Sequence, residues 1–103
     1  MEFETETLNL VLDEVLMWGP RARIPILERV KEHLPDFSVQ QHEQLLTECN
    51  AASSFIFSLC ERVYAGELTE LDVKTAMLEK FAWMDGTNFA HAFWQGNYYA
   101  WHG

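Results

Sequence analysis

Four histidines, two cysteines and sixteen acidic residues are the groups in this 103-residue chain that could carry chemistry. Their spacing argues against most of it. The one adjacent His-Glu pair, His42-Glu43, has no second histidine four residues on, so the zinc-protease helix motif is absent. His91 and His102 are eleven residues apart, roughly 16 Å along a helix, too far to share one metal ion. No histidine follows a glutamate at the three-residue spacing that di-metal helical bundles use. Cys49 and Cys60 are also eleven apart, whereas disulfide Cα atoms must come within about 7 Å, so two buried thiols are expected. There is no Cys-x-x-Cys, phosphate-binding glycine loop or nucleophile elbow. The sequence therefore predicts no metal, no cofactor and no enzyme.

What remains is recognition chemistry. The last fifteen residues before the terminal glycine, NFAHAFWQGNYYAWH, read as a helix with aromatic rings on adjoining faces. Phe89, Phe93, Gly96 and Ala100 share one face. Gly96 costs about 1 kcal/mol against Ala in a helix interior, so a close helix contact is expected there. Trp94, Tyr98 and Trp101 form the neighbouring face and are the candidate partner anchors, since Trp and Tyr dominate interface hot spots. Glu43, Glu48 and Glu61 are the carboxylates expected to attract a basic partner. Were the helix a ligand-pocket wall instead, His91, Tyr98 and Tyr99 would be its polar groups.

The element that must position these residues is the run from Ser38 to Ala65. Ser38 and Gln41 form a capping box, and Gly66 stands where a C-terminal cap belongs. Leu45, Cys49, Ala52, Ile56, Leu59 and Val63 make one helical stripe, flanked by Leu46, Ser53, Phe57, Cys60 and Tyr64. Cys49 to Cys60 holds no charge, as expected of a helix surrounded by neighbours. Its remaining side, Thr47, Ala51, Ser54 and Ser58, is small, and close approach of another helix of this chain is expected there before that of a second copy.

Around it the periodicity places four more helices. The first runs from about Thr5 to Trp18, turning Leu8, Val11, Leu12, Val15 and Leu16 inward and Glu6, Asn9 and Asp13 outward, and stops at Gly19-Pro20. Leu10, Met17 and Trp18 lie partly off that stripe, where such residues either meet a second neighbour or remain as an exposed patch; the second neighbour is the expectation. The second runs from about Ala22 to Leu34, its regular part beginning near Pro25. Its cations Arg21, Arg23, Arg29 and Lys31 read as a solvated face, and His33 as a favourable cation at its C-terminus. A fourth helix starts after Thr69 and ends near Phe81, and Asp85 or Thr87 caps the last. The fold expected is all-α: a compact single-domain bundle of about five helices, residues 1–103, around a long central one.

Composition bounds the partners. A formal net charge of −9 with seven basic residues argues against nucleic acid and against an anionic membrane. No apolar run reaches the roughly 20 residues of a membrane span, and MEFETETLNL has no basic signal-peptide start, so a cytoplasmic location is expected. The function expected is a small acidic module that binds a basic protein. It is similar in charge and class to bacterial immunity and inhibitor proteins, by analogy alone, with no shared motif. A structural homo-oligomer, such as a homodimer, and a small-ligand protein are the alternatives.

Overall fold

A computed structural model describes residues 3–18 and 20–102, with the side chains of Pro20 and Arg21 left aside. Glu2 and the expected stop at Gly19 lie outside the described residues. Among those described, the chain forms five α-helices: α1 Thr5–Val15, α2 Ile26–His33, α3 Val39–Tyr64, α4 Glu70–Lys80 and α5 Gly86–His102, with a short 3₁₀ turn at Pro20–Arg23. All-α architecture and the long central helix are as the periodicity predicts. Helix α3 packs against each of the other four.

Both ends of α3 are closed by the residues singled out for that purpose. The Ser38 hydroxyl accepts from the Gln41 amide at 3.1 Å, and the Ser38 amide donates to Gln41 Oε1 at 2.8 Å. At the other end Gly66 adopts φ +81°, where a side chain would be strained. The Glu67 amide then reaches Arg62 O and the Gly66 amide reaches Val63 O, both at 2.9 Å, which is the paired closure of a Schellman turn. An ion pair between Arg62 and Glu67 stands where that turn often carries an apolar contact. Thr69 and Asp72 close α4 in the same reciprocal way as Ser38 and Gln41, and hydrogen bonds from Thr69 hold the Asp72 carboxyl below its ordinary range.

Two helices are shorter than their apolar pattern implies. Helix α1 ends at Val15 rather than Trp18. Pro20 has no N–H to offer Leu16 O, and the Gln95 side-chain amide takes that carbonyl instead; Arg29 takes Glu14 O at 2.8 Å. Helix α2 begins at Ile26, because Pro25 is its N-cap and disfavours helical geometry in the residue before it.

Contacts fix the sense of the packing. Asn88 meets Asn9, Gln95 meets Leu16, and Trp18 meets Tyr99, so α1 and α5 lie side by side in the same direction. Along α3, Leu8 O receives the Cys49 thiol near the middle, while Trp83 meets Glu48 and Gly96 meets Cys60. Helices α1, α3 and α5 thus run parallel, with α2 and α4 as the returning elements. Gly96 is the tight point: a Cβ there would stand 2.6 Å from Cys60 Sγ, 3.0 Å from Cys60 Cβ and 3.1 Å from Phe57 Cδ1. The close contact expected at this glycine is present.

The interior also holds polar side chains that periodicity assigns to solvent. Asn9, expected to face out, is buried; its amide donates to Thr5 O and Trp83 O, and its Oδ1 accepts from the Asp85 amide and from Asn88 Nδ2. Arg29, expected on a solvated face, is buried against Glu14, with Nη1 to Oε2 at 2.9 Å. His33 Nε2 lies 2.7 Å from the other Glu14 oxygen. His42 is buried too, stacked on Phe37, with Nε2 donating to Leu34 O at 2.7 Å to satisfy the C-cap carbonyl of α2. One expectation fails in the other direction: Thr47, Ala51, Ser54 and Ser58 are exposed, so no helix among the described residues covers them. The hydroxyls of Thr47 and Ser58 bond back to Glu43 O and Phe55 O.

Candidate functional site

The residues available for recognition divide between the two ends of the molecule. At the end where α1, α3 and α5 terminate, six large aromatic side chains are exposed: Trp18, Tyr64, Trp94, Tyr98, Tyr99 and Trp101. They include every tyrosine and three of the four tryptophans in the chain. Trp94, Tyr98 and Trp101, the expected anchors, are 55, 41 and 69 % exposed. Their spacing of four and three residues puts them on one side of α5, while Phe89, Ala92 and Gly96 face the core.

The rings are organised by Trp18. Although 45 % exposed, it stands edge-on to Trp94 and Tyr98 at centroid distances of 5.2 and 5.6 Å and donates from Nε1 to the Tyr99 hydroxyl at 3.1 Å. Trp18 thus meets the expected second neighbour, α5, and also remains part of an exposed patch, the outcome set against it. Trp94 and Tyr98 stack at 5.8 Å with planes 21° apart, and His102 leans on Tyr98 at 4.2 Å. Edge-to-face and offset contacts of this kind hold rings in place without removing them from solvent. Between α5 and the last turn of α3, a groove of about 520 Å³ is lined by Val63, Tyr64, Trp94, Asn97, Tyr98 and Trp101. Asn97 supplies the single amide in an otherwise apolar and aromatic lining.

At the opposite end, Glu43 and Glu48 line an open cleft of about 730 Å³ with Phe3, Leu8, Gln40, Gln44, Thr47 and Trp83. Trp83 Nε1 donates to Glu48 Oε2 at 3.4 Å. Glu61 is not part of this cleft. It lies eighteen residues beyond Glu43, about 27 Å along α3, and one turn before Tyr64. The structure therefore joins Glu61 to the aromatic end and sets Glu43 and Glu48 apart from it.

The alternative pocket residues do not converge. Tyr98 lines the groove; Tyr99 turns to Trp18 and Phe57; His91 is half-buried with Nε2 2.9 Å from Gln95 Nε2. Gln95, only 2 % exposed, spends its amide on Leu16 O and His91. The thiols are buried and free. Burial, with Glu48 adding to it at Cys49, pushes them up to about 12 for Cys49 and about 11 for Cys60, so neither is a nucleophile near neutral pH. Among the described residues no three His, Cys, Asp or Glu side chains are grouped to hold a metal ion, and no helix is long and apolar enough to cross a membrane.

Sequence reasoning misses Trp18, Tyr64, Val63 and Asn97 as members of this surface. Tyr64 falls on a stripe that reads as buried, and nothing local shows that α3 ends beside α5. The chain matches no family model, no curated protein and no solved structure.

Proposed function

We propose that this protein is a non-enzymatic binding module whose aromatic end anchors a basic protein partner. The observation that carries the reading is the set of six exposed aromatic side chains at the ends of three helices, four of which, Trp18, Trp94, Tyr98 and Tyr99, are braced against one another. A monomer gains nothing in its own core from leaving three tryptophans in water, and contiguous exposed apolar surface of this kind marks interaction sites. The net charge of −9 favours a positively charged partner and accelerates its approach. Glu61 stands on α3 one turn before Tyr64, at the aromatic end, whereas Glu43 and Glu48 act at a distance, through the summed field of the chain.

The test is capture from cell lysate at low and high salt, with Trp94→Ala/Trp101→Ala as the control bait. The reading requires a basic protein that the natural chain retains, that salt weakens, and that the control loses. Retention undiminished in the control removes the aromatic end as the contact surface. A homodimer seated on the same rings is told apart by mass in solution, which would double for the natural chain and not for the control.

A further inference from the structure

We propose that the groove between α5 and the end of α3 seats a cationic side chain of the partner, a guanidinium or an alkylammonium. This rests on the preceding reading that the aromatic end is the contact surface, and names what that surface recognises. Three independent features point to a cation.

The first is the lining. Tyr64, Trp94, Tyr98 and Trp101 surround a space of about 520 Å³ with no charged residue among its walls. An aromatic face carries negative potential, and Trp attracts cations more strongly than Tyr or Phe. Two of the four rings are tryptophans. The Asn97 amide can accept one N–H of a guanidinium or ammonium through its oxygen.

The second is the direction of the helices. Because α1, α3 and α5 are parallel, three C-terminal ends come together at this end of the molecule. Each carries the negative pole of its backbone dipoles. Glu61, exposed one turn before Tyr64, adds a full negative charge.

The third is the local supply of positive charge. Arg62, the cation nearest in sequence to Tyr64, is held by Glu67 with Nε 3.2 Å from Oε1. His102, the other nitrogen-bearing side chain at this end, lies against Tyr98 and Trp101 at 4.2 and 4.7 Å with the planes tilted by 41 and 58°. With sixteen acids against seven bases, the chain has few cations of its own to place there.

The probes are the Nα-acetylated forms of arginine amide and of its isostere citrulline amide, the acetyl group leaving the latter neutral, and tetramethylammonium, titrated into the full chain while the indole N–H resonances are followed by NMR. Arginine amide should shift Trp94 and Trp101 saturably in the millimolar range, with citrulline amide about fivefold or more weaker. Tetramethylammonium separates the two sources: a response equal to that of arginine amide assigns the site to cations in general, a lesser one to guanidinium. Trp94→Ala/Trp101→Ala would leave arginine amide without a saturable effect on the remaining groove resonances of Tyr98 and Asn97, and spectral dispersion checks that this variant is folded. Glu43→Gln/Glu48→Gln should leave the response intact.

Equal response to arginine amide and citrulline amide overturns the inference, as does the absence of a saturable shift. A shift centred on Trp83 and lost in Glu43→Gln/Glu48→Gln also overturns it, by moving the cation to the other cleft. If citrulline amide matches arginine amide while the tryptophan variant still loses the captured protein, the contact surface stands and only its preference for charge falls.

Discussion

The seam between α1 and α5 is built in opposite ways at its two ends. Near their starts, Asn9 and Asn88 are buried, and the Asn9 amide spans both helices and the turn between α4 and α5. Midway, Gln95 closes the end of α1 from inside. Near their ends, Trp18 just past α1 and Trp94, Tyr98 and Tyr99 of α5 are exposed and touch mainly one another. Polar groups have been placed inside and made indispensable, while the groups best suited to a core have been left outside it. A buried amide is tolerable only when it is bonded, so the first end is constrained by the fold. The second end is free of that constraint, and this freedom is what makes it available to a partner.

The comparison breaks most severely where a buried polar group is removed. Glu14→Ala leaves the Arg29 guanidinium buried without its carboxylate, and a loss of about 3–5 kcal/mol is expected in urea unfolding. Glu14→Ala combined with Arg29→Met should recover much of that loss, since the penalty lies in the orphaned charge. Asn88→Ala withdraws the amide that serves Asn9 O and Oδ1 and should cost about 1–3 kcal/mol.

The thiols sharpen the same contrast through pH. An unfolded cysteine ionises from about pH 9, but Cys60 and Cys49 hold their protons to about 11 and 12 in the fold. Between those limits the unfolded chain binds fewer protons than the native one. Stability is therefore full below pH 9 and declines as pH rises, by about 1.4 kcal/mol per pH unit for each thiol. Urea unfolding from pH 8 to 10.5 checks this, and Cys49→Ala/Cys60→Ala should flatten the decline. A slope unchanged in that variant would assign it to other groups.

Gly96→Ala tests the packing that holds α5 against α3. Alanine gains about 1 kcal/mol in helix propensity, yet its Cβ meets Cys60 Cβ at 3.0 Å, close to the α3 backbone and unable to swing aside. A net destabilisation of about 1–2 kcal/mol is expected. Cys60→Ala removes the sulfur at 2.6 Å but not that Cβ, so Gly96→Ala should cost less in the Cys60→Ala background than in the natural chain, without becoming neutral.

The helical frame is legible in the chain because its signals are local. Ser38 with Gln41, Gly66, Thr69 and Asp85 lie at or next to the helix ends they close, and the Gly96 contact follows from a glycine in a helix interior. The buried polar residues are not legible by the same means. Periodicity sorts residues by polarity, and Asn9, Glu14, Arg29, His42, Asn88 and Gln95 are buried because of partners 8 to 79 residues away. The candidate surface is half legible for the same reason. Trp94, Tyr98 and Trp101 share one helix and can be read together. Trp18 and Tyr64 join them only because parallel packing brings three helix ends to one place. The uncovered strip of Thr47, Ala51, Ser54 and Ser58 shows the converse: small side chains permit close packing but do not require a neighbour.

The smallest effect on stability should come from the variant with the largest effect on binding. Trp94 and Trp101 lie half or more in water, so replacing either with Ala removes limited buried area. Trp94 also gives up its contacts with Trp18 and Tyr98, worth about 0.5–1.5 kcal/mol each beyond burial at most, whereas Trp101 touches only His102 among the ring contacts. Alanine's higher helix propensity offsets part of either loss. Trp101→Ala should therefore unfold within about 0.5 kcal/mol of the natural chain, with Trp94→Ala somewhat less stable. Both should weaken capture of the basic partner, and the pair should abolish it. If Trp101→Ala instead costs as much as Asn88→Ala, the rings belong to the fold after all, and the two ends of the seam differ in exposure but not in purpose.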